Sequence, residues 1–360
     1  MKVCIIGNGL VSLTLASVLI KKELSVDILF SKKNNKYNKI STLGISGSNI
    51  DYFNKEIINI EKILWKIKNI KIFTEKFLDE EILNFDNGNK QIFSIIKNHR
   101  LYEILNSNLK KSKFIKFKNT IDYKSIEKKN YKLIINCDPN HQITKMFFSN
   151  KIEKNYNSYA YTTIISHKKI SKNNIAFQNF TKRGPIAFLP ISNTQTSIVY
   201  SLKENKVENN FNIMNLIKKY NPRYSILKAD DFVRFKLQSS NLRKYYKNNI
   251  LAFGDILHKI HPLAGQGFNM SLRDIKILSE LIDKRIKLGL DIDNSICHEF
   301  EKNIKDKNYI FSTGIDWIYE LFNFENKIKS KLVSKSINIF GKNKYINSFL
   351  KRFADIGLRV

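Results

Sequence analysis

Residues 2–30 constrain this chain more than any other stretch. Val3-Cys4-Ile5-Ile6 is a short apolar run, the pattern of a parallel strand buried on both faces. Gly7-Asn8-Gly9 follows as a turn. Leu10 to Ile20 reads as an apolar helix closing at Lys21-Lys22, and Val26 to Phe30 reads as a second strand. The order predicts a βαβ unit at the extreme N-terminus. Within it, Gly7-Asn8-Gly9-Leu10-Val11-Ser12 nearly matches G-x-G-x-x-G. The first glycine permits a tight turn, the second lets backbone approach a pyrophosphate, and the third position needs a small residue, here Ser12. The helix N-terminus favours phosphate charge. An acidic residue is expected at the end of the second strand for ribose hydroxyls; Ser31 stands near that position instead, before Lys32 and Lys33.

The rest of the chain alternates in character. Helical spacing returns around Ile57, Ile60 and Leu64. Residues 70–97 look strand-rich, with Asn87-Gly88-Asn89 as a hairpin turn. Residues 98–110 look helical, and Leu133-Ile134-Ile135 is another buried strand ending at Asn136-Cys137-Asp138. Residues 155–240 carry alternating β-type runs. Ile250 to Phe253 returns as a buried strand, followed by a glycine-rich loop and a helix over about 267–287. The last 60 residues are helical in pattern, aromatic and basic.

A formal net charge of +30, from 62 Lys+Arg against 32 Asp+Glu, raises nucleic acid or an anionic membrane as partner. Lysine is spread over the whole chain and no arginine-rich stripe or binding module is present, so nucleic acid is not expected. Three cysteines without metal-ligand spacing argue against a zinc site or a disulfide framework and fit a reducing compartment. His258 and His261 lie three apart, but no third ligand has suitable spacing, so no metal is expected. No run reaches about 18 apolar residues, and the first apolar run is too short for a signal peptide. The expected location is the cytoplasm, with peripheral contact on the inner face of the cytoplasmic membrane left open. Trp317, Tyr319, Leu321 and Phe322, followed by Lys327, Lys329, Lys331 and Lys335, read either as core packing plus a solvated face or as a basic amphipathic membrane contact.

The second motif is the specific one. Phe253-Gly254-Asp255 ends a buried strand, then come His258, His261-Pro262, Leu263-Ala264-Gly265-Gln266-Gly267, Asn269 and Arg273-Asp274. A carboxylate after the strand can accept from sugar-alcohol hydroxyls. The glycines open a helix whose free N–H groups suit an anionic ring edge. Five of the 13 glycines fall in these two motifs. In this order the residues resemble the second flavin motif of the class A flavoprotein aromatic hydroxylases, and within them the ubiquinone-biosynthesis hydroxylases. Phe180-Thr181 with Gly184-Pro185-Ile186-Ala187-Phe188-Leu189-Pro190 is similar to that subfamily's sheet motif, and Asn98-His99-Arg100-Leu101 resembles its helix start. The family's third motif keeps only its aspartate, in Cys137-Asp138-Pro139-Asn140-His141.

The resemblance implies an α/β fold: a Rossmann-like FAD domain interrupted by a β-sheet substrate domain, with a helical C-terminal region. The bounds expected are 1–70, 95–150 and 244–300 for the discontinuous FAD domain, 71–94 and 151–243 for the sheet-rich substrate domain, and 301–360 for the helical region. The implied activity is FAD-dependent hydroxylation of the ring of a polyprenylated phenol in ubiquinone biosynthesis, with NAD(P)H as donor and dioxygen as co-substrate. Gly7, Gly9 and Ser12 would bind the pyrophosphate, Asp255 the ribityl chain, and Pro262, Gly265, Gln266 and Gly267 the ring; Arg100 is a further cofactor contact. No catalytic acid or base is implied. The alternatives are a non-catalytic flavoprotein scaffold in a quinone-biosynthesis protein complex and a related flavoprotein prenyl reductase.

Overall fold

A computed structural model gives the fold and describes residues 2–31, 39–75, 81–86, 91–119, 122–203, 212–262 and 265–328, with residues 348, 352 and 355. The N-terminal unit forms as the apolar pattern dictates. Strands β1 (Lys2–Ile6) and β2 (Ser25–Phe30) are parallel, joined by helix α1 (Leu10–Ile20). They belong to a six-stranded sheet with β8 (Ile115–Asn119) beside β2, and with β9 (Leu133–Asn136), β17 (Ile250–Ala252) and β16 (Tyr246–Lys247) beyond β1. All pairings in it are parallel except β16–β17. Val3 to Ile6, Leu133 to Ile135 and Leu251 to Phe253 are buried in one large core with α1, helix α3 (Asn98–Lys110) and helix α7 (Gln266–Lys287). One charge lies inside this sheet. Asp27, 1% exposed, is met by Lys2 at 2.9 Å, Lys118 at 2.6 Å and the Tyr131 hydroxyl at 2.6 Å, so its carboxylate is paired rather than stranded.

A nine-stranded sheet covers the carboxyl-end side of the molecule. Its path runs β18 (His258–Lys259), β15 (Val233–Leu242), β10 (Lys151–His167), β13 (Gln195–Lys203), β12 (Gly184–Pro190), β11 (Ile175–Thr181), β5 (Asn69–Thr74), β6 (Leu83–Asp86), with β14 (Ile226–Ala229) also on β10. One face packs on helix α6 (Ile213–Lys219) through Ile165, Ile198, Tyr200 and Ile217. Gly184 is dictated by this packing: its φ is +134°, and a Cβ there would meet the Ser201 carbonyl oxygen at 2.0 Å. A small antiparallel sheet, β3 (Thr42–Ser46), β7 (Phe93–Lys97) and β4 (Trp65–Ile67), joins the two layers. Helices α2 (Gly47–Glu56), α4 (Tyr123–Glu127) and α5 (Gln142–Phe147) fill loops, and α8 (Asn294–Ile328) runs along the outside.

Two local expectations need correcting. The helical spacing at Ile57, Ile60 and Leu64 does not make a helix: α2 lies earlier, and the chain passes through a single tight turn, Glu61–Ile63, into β4. Asparagine side chains take the backbone instead. Asn54 Oδ1 accepts from Ile60 N at 2.9 Å and Asn59 Oδ1 from Glu61 N at 3.0 Å, the competition that makes asparagine a poor helix former. The turn at Asn87-Gly88-Asn89 lies outside the described residues, but its flanking strands do not form a hairpin. β6 pairs with β5 in the large sheet, and β7 pairs with β3 and β4 in the small one. The C-terminal helical pattern is met to Ile328; Lys329, Lys331 and Lys335 lie outside the described residues.

Candidate active site

Three loops leave one edge of the six-stranded sheet together. Ile6 lies opposite Asn136, and Asn136 opposite Ala252, so β1, β9 and β17 end side by side. The turn Gly7–Gly9, the segment 137–141 and the turn Gly254–Ile256 therefore converge, at the edge where open α/β sheets take ligands. Gly7 has a φ of +109°, and a Cβ there would stand 3.2 Å from Ser12 Oγ and 3.3 Å from Asp138 N. A Cβ on Gly254 would stand 3.2 Å from Val11 Cγ1. The altered third motif thus forms a wall directly beside the first glycine. Gly9 is the opposite case: nothing lies within 4 Å of its missing Cβ. That open face is what close approach of a diphosphate to backbone requires. Asn8 Nδ2 donates to the Tyr102 hydroxyl at 2.8 Å, fixing the turn to α3.

The other predicted residues divide. Ser12 is buried, with its hydroxyl beside the Cys137 thiol, whose burial pushes it up to about 12. Asp255 is exposed between two buried neighbours, Gly254 and Ile256, in the turn that follows β17. Ser31 follows β2 and is half-buried; its single hydroxyl can make one donor and one acceptor contact where a carboxylate would accept two. Arg100 stands on the first turn of α3, 65% exposed and 4.0 Å from Glu103. The residue that ties α3 to the glycine turn is Tyr102, two positions further on.

The second glycine loop is built from the far side. Gly265, φ +63°, caps α7, and a Cβ on it would stand 3.3 Å from Gly44 N of β3. Asn269 locks this approach. Its Oδ1 accepts from Ser46 N at 3.0 Å and Asn49 Nδ2 at 2.9 Å, and its Nδ2 donates to Gly44 O at 2.9 Å and Gly265 O at 3.2 Å. Gly267 has nothing within 4 Å of its missing Cβ. Gln266 is buried, and its Oε1 has no hydrogen-bond partner among the described residues. Open glycines at both loops, a helix N-terminus at each and an orphaned buried acceptor fit an extended, partly anionic dinucleotide such as FAD.

The two layers meet above this floor. Thr42 Oγ1 and Ser197 Oγ are 2.9 Å apart, and Lys97 Nζ donates to Gln195 Oε1 at 3.1 Å, joining the small sheet to β13. The motif's own His258-Lys259 forms β18 and pairs with β15. His258 reaches back to Asp274 of α7, so the motif's histidine and its aspartate hold each other. His261 is sandwiched between Tyr319 of α8, stacked at 4.3 Å, and Tyr156 of β10, edge-on at 4.9 Å. Tyr156 donates to Asp316, which also accepts from Ser239 Oγ at 3.1 Å. Among the described residues, no group of three His, Cys, Asp or Glu could hold a metal ion.

The sequence reading did not single out Tyr102, Asn49, Gly44 or Tyr156. The first three act through hydrogen bonds or backbone contacts between segments 94–225 positions apart, and no local pattern marks such pairs. Of the aromatics read either as core packing or as a membrane contact, Tyr319 is 3% exposed and belongs to the core. On α8 the solvent face is instead Ile310, Trp317, Leu321 and Phe324, at helical spacing.

The squalene epoxidase family model matches residues 130–348. Among related proteins, ubiquinone biosynthesis monooxygenase COQ6 of Dictyostelium discoideum is 24% identical, over 89% of this chain and 84% of its own length. The zebrafish (Danio rerio) COQ6 is 26% identical over 53% of this chain and 48% of its own. Ubiquinone hydroxylase UbiL of Rhodospirillum rubrum is 27% identical over 46% and 41%. The chain spans about half the length of most relatives it matches. Among solved structures, p-nitrophenol 4-monooxygenase PnpA of Pseudomonas putida superposes with a TM-score of 0.78 at 13% identity, covering 99% of this chain and 98% of that one. Klebsiella pneumoniae HpxO, complexed with FAD and uric acid, gives 0.74 at 10% identity, covering 99% and 97%. The expected α/β fold is borne out in the described residues, and with the family model taking in more than half of its residues, the chain belongs to the squalene epoxidase family, with the fold of the FAD-dependent monooxygenases.

Proposed function

We propose that this protein is an FAD-dependent monooxygenase that hydroxylates the aromatic ring of a polyprenylated phenol in ubiquinone biosynthesis. The observation that carries the cofactor reading is the convergence of the Gly7–Gly9 turn, Asp138 and the Gly254-Asp255 turn on one sheet edge. The ubiquinone-biosynthesis relatives support the substrate class. Bound FAD would supply the redox chemistry that activates dioxygen, the part no amino-acid side chain provides.

The chain's own residues hold and orient. Gly7 and Gly9 let backbone reach the diphosphate, and α1 presents its N-terminal amides to it. Asp255 would accept from the ribityl hydroxyls. The first amides of α7, at Gln266, Gly267 and Phe268, would face the ring edge and favour negative charge there. Pro262 shapes the ring's surroundings and carries no N–H of its own. The large sheet, tied to the small one at Thr42–Ser197 and Lys97–Gln195, would shield the oxidation from water. NAD(P)H is the proposed electron donor.

A prenylated substrate resides in lipid, and α8 offers a matching surface. Ile310, Trp317, Leu321 and Phe324 are exposed on one face, with Lys302, Lys305 and Lys307 one to two turns before Ile310. No described helix is long and apolar enough to cross a membrane. The proposed contact is therefore peripheral, on an anionic bilayer, where each basic residue contributes about 1 kcal/mol. Sedimentation with anionic vesicles at low salt and release at high salt is the expected behaviour; equal binding to neutral vesicles would count against it.

The test of the activity has two stages. Purified protein should be yellow, and Asp255→Ala should fold but lose the flavin; a folded variant that keeps its full complement would remove Asp255 from the site. Flavin-loaded protein should then give a hydroxylated product from a prenylphenol with dioxygen and one of the nicotinamide donors. No product with any donor, chemical reductant included, would replace the enzyme by the scaffold reading.

A further inference from the structure

Helix α2 starts without a cap of its own. Ser46 stands just before it, where a serine side chain ordinarily accepts from an amide of the first turn. Its hydroxyl makes no such bond, and no acidic residue lies in that turn. Asp355 supplies what is missing, from 307 positions further along the chain. Its Oδ1 accepts from Ser48 N at 3.0 Å and stands 2.9 Å from Ser48 Oγ. Its backbone carbonyl accepts from Ser46 Oγ at 3.1 Å and stands 3.2 Å from Ser48 Oγ, whose single hydrogen the two oxygens share. Ser48 is the second residue of α2, and its amide is one that a capping side chain normally takes; a carboxylate there also meets the positive end of the helix dipole. After Glu325 the chain holds nine Lys and Arg and this one acidic residue, so no neighbouring carboxylate could take its place.

The residues that Asp355 holds are those that support the second glycine loop. On their other side, Asn269 Oδ1 accepts from Ser46 N at 3.0 Å and Asn49 Nδ2 at 2.9 Å, while its Nδ2 donates to Gly44 O and Gly265 O. Gly44 and Gly265 are themselves in close approach, since a Cβ on Gly265 would stand 3.3 Å from Gly44 N. Ser46 to Asn49 is thus held from two sides, by Asp355 and by Asn269, and Asn269 passes the position of α2 on to the start of α7. Each contact of Asp355 given above is to Ser46 or Ser48, so it reaches the glycine loop through this joint.

Resting on the flavin-site reading above, we infer that Asp355 is a positioning residue for the cofactor: by capping α2 it holds the joint at which α7 begins, so that docking of Asp355 and binding of FAD strengthen each other. Coupling of this kind is reciprocal, and both directions can be read without turnover. Loss of a cap weakens the capped state by about fivefold, and Asp355→Ala should raise the dissociation constant for FAD by that factor in a flavin fluorescence titration. Asp355→Asn keeps the acceptor oxygen and should stay within about twofold of the parent. Ser46→Ala removes one donor to Asp355, leaves the Ser46 amide on Asn269 and should shift affinity in the same direction as Asp355→Ala; it gives the comparison should that variant not fold. Hydrogen exchange of the Ser48 amide, read on peptides from α2, gives the reverse direction. Without FAD it should be about fivefold faster in Asp355→Ala than in the parent, and saturating FAD should slow it more in the parent than in the variant. Parent-like FAD affinity in Asp355→Ala overturns the proposal. So does an equal loss with asparagine and alanine, or an exchange rate that FAD slows alike in parent and variant. A parent that binds no FAD would refute the cofactor reading. Exchange at Ser48 in the FAD-free proteins would then decide the cap by itself: a faster rate in Asp355→Ala upholds it, and an unchanged rate overturns it.

Discussion

His258 Nε2 lies 2.5 Å from Asp274 Oδ2, with each side chain 1% exposed. Asp274 Oδ1 also accepts from Asn308 Nδ2 of α8 at 3.1 Å. One carboxylate therefore joins the flavin motif, the long helix that opens from it and the C-terminal helix. Removing it strands a histidine and an asparagine in the core. Asp274→Ala should destabilise the protein by about 3 kcal/mol, from two buried groups left unpaired. Asp274→Asn retains a polar partner and should cost less. Urea midpoints of the three proteins at pH 7 check this; equal midpoints for Asp274→Ala and the parent would show that the pair does not contribute.

The Asn269 side chain makes three hydrogen bonds across the joint between α7 and β3, to Ser46 N, Gly44 O and the Asn49 amide, and a fourth to Gly265 O of its own helix cap. Alanine at this position leaves Ser46 N, Gly44 O and the Asn49 amide without their partner. Asn269→Ala should lower stability by about 2–4 kcal/mol and weaken FAD binding by more than tenfold, because Gly265 loses its support. Asn269→Asp keeps the acceptor but not the donor and should fall between. Flavin fluorescence titration separates the two effects. Unchanged FAD affinity in the alanine variant would show that the helix start holds its position unaided.

The sequence carried the N-terminal unit nearly to the residue, because a buried parallel strand, a glycine turn and an apolar helix are each local patterns. Helix α1 spans Leu10–Ile20 as read. It also carried the two glycine loops, since Gly7 and Gly265 both adopt positive φ that few other residues tolerate. It failed at Ile57–Leu64, where apolar spacing fits a helix but asparagine side chains take the amides. It left open whether Tyr319 packs inward, because its burial depends on His261 and Tyr156, residues 58 and 163 positions away. Spacing along a helix shows which side chains share a face, not which face a distant strand covers. The candidate site shows the same division: its backbone-shaping residues were legible, whereas the side chains that tie one loop to another were not.

Gly184 opens the proline-bearing strand β12 with φ at +134°. Its missing Cβ would overlap the Ser201 carbonyl oxygen of β13, a backbone atom fixed in the ladder. Gly184→Ala must therefore push apart two central strands as well as adopt a strained backbone, each costing about 1–3 kcal/mol. The expected result is a drop in thermal midpoint of roughly 5–10 °C or loss of soluble protein. Pro185→Ala, next to it, has no such clash and serves as the comparison. A thermal scan showing both variants alike would mean that β12 and β13 separate at little cost.

His261 also makes stability depend on pH in a window of its own. In the unfolded chain it would protonate near the ordinary histidine value of about 6.5; in the folded protein, burial holds it neutral until about 3. As pH falls through 6.5, the unfolded state binds a proton that the native state does not. Stability that is complete above pH 6.5 is therefore lost progressively between pH 6.5 and 3, at about 1.4 kcal/mol per pH unit. Lys154 adds to the depression, whereas Asp316 is engaged by Tyr156 and Ser239. Other groups that titrate in this range are common to a variant at this one position and cancel in the difference. Between pH 7 and pH 5 the parent protein should lose about 2 kcal/mol more than His261→Phe, measured by urea unfolding without flavin or substrate. Parallel losses in the two proteins would mean that the imidazole takes up its proton in the folded state.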